Sequence, residues 1–171
     1  MNPDSLDPRW VRTWAAGITT HLQAVLAAFD TYYPFPPGRN EVVLAGPSQG
    51  PLDILRARSS APSDLIALYQ VIQEVTMPDI GNGIFIHAPE DVIVGLADGP
   101  VPLDDGNTGT TFASNGGGIL YAIDRSNRVH RSHDASTDSG FEPVATDLRV
   151  FLEHVLDTVA NFAATRTAGD I

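Results

Sequence analysis

Gly46-Pro47-Ser48-Gln49-Gly50 matches G-x-S-x-G, the elbow that projects a serine nucleophile from a strand-to-helix turn. The flanks VVLA and PLDILRA allow that context. Against it, Pro47 and Pro51 bracket the serine, and the downstream strands lack the intervening helices that a parallel sheet requires. A plain turn is the stronger reading, with a small serine esterase using Ser48 as the remote alternative. His130, His133 and Asp134 are the right types for a zinc site. Within the strand-like run RVHRSH, however, positions 130 and 133 project from opposite faces and converge only across a bulge or strand end. No metal is expected there. His87 lies in an apolar run and reads as a hydrogen-bonded core histidine, while His21 and His154 fall on helices without an identifiable partner.

Gly116-Gly117-Gly118 after Asn115 resembles a phosphate cradle only superficially, because a cradle uses amides at a helix N-terminus and ILYAID reads as a strand. A tight turn is expected, its glycines allowing positive φ and close backbone approach. Glu90-Asp91 and Asp104-Asp105 are paired carboxylates, but neighbours in extended backbone point apart, so solvated acidic loops are the better reading than acid/base catalysis. No segment has the alternating ligands and terminal Glu of an EF-hand. No cofactor is predicted.

The elements that must position these residues are legible from periodicity. Trp10, Trp14, Ile18, Leu22, Val25, Leu26 and Phe29 form one apolar stripe, which predicts a helix over about 10–33, with Asp7-Pro8 as its start and Pro34, Pro36 and Pro37 as its stop. Residues 34–62 read as a proline- and glycine-rich connector with one edge strand at most. A second helix is expected from a capping Ser63 to Pro78, presenting Leu65, Leu68, Tyr69, Ile72 and Val75 inward. After the turn Gly81-Asn82-Gly83 the period becomes two, in GIFIHA, DVIVGL, ILYAID and RVHRSH. Ile84 and Ile86 oppose Phe85 and His87, and Ile119, Tyr121 and Ile123 oppose Leu120 and Ala122, so helices should cover both faces of the sheet's centre. Residues 98–115 read as a long polar loop. A last helix over about 145–164, capped by Thr146, carries Leu148, Phe151, Leu152, Val155, Val159 and Phe162 on one side, and a frayed tail follows.

These elements predict an α+β fold: a mixed, mainly antiparallel sheet of about four to five strands flanked by N-terminal and C-terminal helices. The expected organisation is one domain, with residues 1–62 as helix and connector packed on it, 63–165 as its core and 166–171 as a tail. The composition, 43% hydrophobic and 18% charged, excludes disorder of the whole chain. All ten basic residues are arginine, and 21 acidic residues bring the formal charge to -11, which repels nucleic acid and anionic membranes and attracts a basic partner. With no cysteine there is neither a disulfide framework nor a thiol nucleophile. MNPDSLDPRW lacks the basic and apolar start of a secretory signal, and WAAGITTHLQAVLAAF is too interrupted to span a membrane, so a cytosolic location is expected.

Residues 63–160 carry a further pattern. Phe112-Ala113-Ser114-Asn115-Gly116-Gly117-Gly118 runs into Leu120-Tyr121-Ala122-Ile123-Asp124, and Val144-Ala145 leads into Leu148 and Phe151-Leu152. This order resembles the SMI1/KNR4, or SUKH, superfamily: a phenylalanine, small residues, a glycine turn and a strand ending in Asp, then a closing F-L helix. The resemblance implies a non-enzymatic α+β scaffold, many of whose bacterial members are immunity proteins that neutralise a co-encoded toxin, often a nuclease. It implies an alternative as well, a regulatory adaptor, for which the proline-rich segment 34–51 would be the partner-facing element. A nuclease surface is basic because it holds phosphates, so acidic loops would be steered onto it. Asp98, Asp104, Asp105, Asp134 and Asp138 are the candidate contacts; the competing reading is that they only keep the protein soluble.

Overall fold

Asp7 starts the first helix, its carboxylate accepting the Arg9 N–H at 2.8 Å, and Pro8 follows in the first turn, where no N–H is needed. In the computed structural model, which describes residues 5–58, 60–167, 169 and 171, this helix is α1 (Pro8–Ala27). Trp14, Ile18, Leu22 and Val25 are buried as the spacing predicts, whereas Trp10 and Leu26 of the expected stripe are only half-buried and Val11, outside it, is fully buried. A short turn, α2 (Phe29–Tyr32), completes the segment before Pro34. Trp14 Nε1 donates to the Leu152 carbonyl at 2.7 Å and ties α1 to the last helix, α6 (Leu148–Thr165). All six apolar residues expected on the inner side of α6 are buried.

The described residues hold eight strands: β1 (Glu41–Leu44), β2 (Ile72–Met77), β3 (Ile84–Ile86), β4 (Val101–Pro102), β5 (Thr108–Asn115), β6 (Leu120–Asp124), β7 (Val129–Ser132) and β8 (Phe141–Ala145). They form one open sheet, ordered β1-β2-β3-β5-β6-β7-β8, with β4 paired beside the start of β5. Every pairing is antiparallel. The α+β class with helices at both ends is therefore as expected, but the sheet has more strands than four to five. Its main core joins α1 and α6 to one face, where Phe112 and Tyr121 pack against Phe151. The opposite face holds a smaller cluster, Val101, Leu103, Ala122 and Phe141, with Leu120 beside it. The alternation read in 119–123 thus separates two real apolar layers.

Several elements differ from the periodic reading, each for a physical reason. The helix expected over 63–77 stops as α4 (Ser63–Tyr69), and its second half is β2. Ile72 and Val75 are buried as expected, but β-branched residues flanked by two pairing partners favour the sheet. Ser63 does not cap α4; its hydroxyl accepts from Asn127 Nδ2 at 3.1 Å. DVIVGL is not a strand but the body of α5 (Pro89–Ala97), with Pro89 in the first turn and Glu90 and Asp91 complementing the helix dipole. The polar stretch 98–115 is a hairpin, β4 and β5, whose turn closes through Leu103 N–H to Asn107 O at 2.9 Å. The connector 34–62 contains β1 at the sheet edge and α3 (Gly50–Ala57). Strand β8 precedes α6, and Asp147 rather than Thr146 caps that helix, accepting the Val150 N–H at 2.8 Å. The tail returns to the sheet, where Tyr121 Oη donates to the Ile171 carbonyl at 3.2 Å; residues 168 and 170 of the tail lie outside the described ones.

Asp124, where the glycine-led strand ends, organises the next turn. Its Oδ1 accepts the Ser126 and Arg128 N–H groups at 2.7 and 3.0 Å, and its Oδ2 meets His130 Nε2 at 3.1 Å. Asn127 in the same turn adopts φ 66 and accepts the Asp64 N–H, while Asp64 accepts the Leu6 N–H. Asp124→Ala leaves the nearly inaccessible His130 ring without this partner, so a loss of about 2–3 kcal/mol in urea unfolding is expected.

Candidate functional site

Register places Thr111 opposite Ala122 and Ser114 opposite Leu120, so these side chains share the sheet face away from α1 and α6. A cleft of about 310 Å³ lies between α5, β4, this part of the sheet and the β7–β8 loop, while Val92, Ile93 and Leu96 of α5 pack into the main core. Leu96, Pro100, Val101 and Leu120 supply its apolar wall, and Asp91, Asp98 and Asp138 its carboxylates. No arginine lines it, and none occurs between Arg58 and Arg125.

His87 is at the back of this cleft and is held from several sides. Its N–H donates to Phe112 O at 2.9 Å, its carbonyl accepts from Tyr69 Oη at 2.6 Å, and its Nε2 lies 2.8 Å from Ser114 Oγ. The hydrogen bonding is as the sequence implies, but His87 is half-buried on the cleft wall and not a core residue. Tyr69 is buried, which raises its pKa and keeps it a donor. Burial lowers the His87 pKa, and the nearby Asp91 carboxylate opposes the shift only in part. The imidazole is therefore neutral at pH 7, and the carboxylates are the cleft's only charges. A lowered folded-state pKa means that the unfolded chain takes up the proton first as pH falls. The stability associated with neutral His87 is complete above its unfolded value near 6.5 and declines as pH falls from there through the folded value. His87→Gln should flatten that part of the stability profile between about pH 7 and 5, as read by urea midpoints.

The five predicted aspartates are all exposed; Asp104 and Asp105 lie in the β4–β5 turn, Asp134 and Asp138 in the β7–β8 loop that touches it, and Asp98 at the end of α5. Asp104 Oδ2 meets His133 Nε2 at 2.8 Å, and the Asp104 N–H donates to Phe141 O at 3.0 Å, joining the β4–β5 turn to the β7–β8 loop. Gly140 has φ 83, the left-handed region that favours glycine, and a Cβ there would lie 2.6 Å from Asp104 Oδ1, so the Asp104 carboxylate would have to shift. Asp105 and Asp134 are engaged locally, accepting the Asn107 and Ser136 N–H groups at 2.9 and 2.8 Å. The Asn107 N–H also lowers the Asp105 pKa. Asp98 and Asp138 both line the cleft. Asp98 is the C-cap of α5, at the negative end of the helix dipole, where a carboxylate is locally unfavourable.

The other candidates separate in space. His130 is buried against Asp124, while His133, one residue past the end of β7, is exposed beside Asp104, and the described residues contain no group of three or more His, Cys, Asp or Glu placed to hold a metal. Ser48 is exposed between edge strand β1 and α3, and Cβ atoms on Gly46 or Gly50 would meet nothing within 4 Å. The tight packing that gives an elbow its glycines is missing there. Glu90 accepts from Gln73 Nε2 at 2.8 Å, whereas Asp91 faces the cleft; both sit in the first turn of α5 and not in extended backbone. Gly116, Gly117 and Gly118 do form the β5–β6 turn: Gly118 has φ 86, and Asn115 Oδ1 accepts the Gly117 and Ile119 N–H groups at 2.9 and 3.0 Å.

The sequence reading set Asp91 aside as part of a solvated acidic loop and did not single out Thr111 or the cleft itself. The signal was Pro89-Glu90-Asp91, a helix start read as a strand approach. Among the described residues no helix is long and apolar enough to cross a membrane. No family model matches the chain, and no curated protein matches it.

Proposed function

We propose that this protein is a non-enzymatic, cytoplasmic binding protein of the SMI1/KNR4 type, an immunity protein that neutralises a cognate toxin by covering its basic active surface. The observation that carries the reading is the fusion of two acidic loops into one fixed end of the sheet through Asp104, His133, Phe141 and Gly140. Loops pinned in this way present carboxylates with little ordering left to do on binding, which lowers the entropic cost of association. The glycine-turned β5–β6 pair, β7 and the closing α6 keep the part of the pattern on which the resemblance rests, whereas β2 follows α4 and α5 stands where a second strand was expected. A nuclease is the natural partner class, because its phosphate-binding surface complements this charge.

The test is binding to the product of the adjacent gene. Association should be fast at low salt, and affinity should fall markedly between about 0.05 and 0.5 M salt, where the Debye length shrinks below the spacing of surface charges. Binding indifferent to salt contradicts the electrostatic part.

A second reading, the regulatory adaptor, is favoured by one feature. Phe29, Tyr33 and Phe35 pack their rings at centroid distances of 4.6 to 6.0 Å beside Pro34, Pro36 and Pro37, with Phe35 54% exposed. Because 34–51 contains β1, its deletion would damage the sheet, so the discriminating change is Phe35→Ser. Under the immunity reading it leaves binding to the adjacent gene's product within twofold; under the adaptor reading it removes binding.

A further inference from the structure

We infer that the cleft between α5, β4 and the β7–β8 loop receives an arginine side chain of the protein partner. This rests on the proposed function and names the anchor of its interface. The walls fit both halves of that side chain. Val92, Leu96, Pro100 and Leu120 offer apolar surface for the methylene stem. Around them stand acceptor-bearing residues: Asp91, Asp98 and Asp138 with their carboxylates and Thr111 and Thr137 with their hydroxyls. A guanidinium has five donors in a planar fork and no acceptor, so it suits a site made of acceptors, and a carboxylate can take it in bidentate fashion.

Two further observations point the same way. Thr111 Oγ1 is inaccessible and makes no hydrogen bond, a buried polar group that an entering donor would satisfy after a small adjustment of the floor. Asp98 stands at the helix end where its charge is least favoured, the position at which a bound cation most improves the local balance. His87, the one basic side chain on the wall, has its pKa lowered by burial and does not compete at neutral pH. At about 310 Å³ the cleft is at the small end of ligand sites, which span ~300–1,000 Å³, in keeping with one side chain rather than a cofactor.

The experiment is a titration of the isotope-labelled protein with N-acetyl-arginine amide, followed by amide chemical shifts, alongside N-acetyl-citrulline amide and N-acetyl-lysine amide. Citrulline keeps the shape of arginine and removes its charge. Saturable amide shifts are expected at residues 95–99 and 101 and at Thr110, Thr111, Thr137 and Asp138 with the arginine amide, at least tenfold weaker with lysine and absent with citrulline. The double variant Asp98→Asn, Asp138→Asn should weaken the arginine amide at least tenfold while its urea midpoint stays at or above that of the parent, since Asp98 opposes the dipole. Equal binding of citrulline or lysine, shifts scattered over the acidic surface, or an unaffected double variant would overturn the inference. If the arginine amide leaves the cleft unmoved but the adjacent gene's product still binds with steep salt dependence, the anchor is wrong and occlusion stands. If the amide binds and that product does not, the partner assignment fails instead.

Discussion

Gly116→Ala is expected to lower the stability of the protein by about 3 kcal/mol or more, the largest effect of any single methyl addition considered for this chain. Strand β3 begins where β5 ends, with Ile84 opposite Asn115, so the turn Gly81-Asn82-Gly83 lies against the turn after Asn115. A Cβ on Gly116 would stand 2.1 Å from Asn82 O, a distance no real contact tolerates, and the obstacle is backbone that cannot rotate away. Either β3 and β5 part at this end or the glycine turn opens. Both strands carry residues of the main core, Ile84, Ile86, Phe112 and Ala113, so the strain is felt there. Gly46→Ala is the control, because its added methyl meets nothing, and its urea midpoint should match the parent's within about 0.5 kcal/mol. Equal stability of the two variants would show that the abutting turns do not constrain the sheet.

The second large effect concerns binding. The triple variant Asp98→Asn, Asp104→Asn, Asp138→Asn should reduce affinity for the adjacent gene's product about 100-fold or more at low salt, with association slowed about tenfold and a shallower salt dependence. These three are the informative choices. Asp98 and Asp138 line the cleft, and Asp104 sits where the loops join, while Asp105 and Asp134 hold backbone N–H groups of their own turns. Asn at 104 keeps an acceptor for His133, and all three positions are exposed, so folding should survive. Calorimetry and stopped-flow on the same samples separate affinity from rate. Unchanged affinity would return the aspartates to the role of solubility alone.

What the sequence disclosed depended on how far each element's pattern was local. The two long helices were legible because their apolar stripes repeat over several turns, and the glycine turn because Asn115-Gly116-Gly117-Gly118 has few other uses. The opposed faces of 119–123 were legible for the same reason, since period two survives in a central strand. The misread elements are those where one residue set serves two periods. Leu65, Leu68, Ile72 and Val75 are spaced like a helix, and all are buried, but the last two reach the core from a strand paired on both sides. DVIVGL has strand composition and helix start signals, and the signals at Pro89, Glu90 and Asp91 prevail. Thr108 to Asn115 looked like loop because glycine, threonine and asparagine dominate it, although neighbours on two sides make it a central strand. The acidic residues could be named from sequence as loop residues. Their convergence could not, because it depends on the contact of Asp104 with His133 and Gly140, which lie about thirty residues or more away along the chain.

Hydrogen exchange on the complex with the adjacent gene's product tests the docking claim most directly. Slowed exchange is predicted in 98–107 and 133–140, together with the C-terminal turn of α5, and no change along α1 or α6. Protection centred on the proline–aromatic surface at 29–37 or on the β1 edge, with the two acidic loops exchanging as in the free protein, would contradict the account.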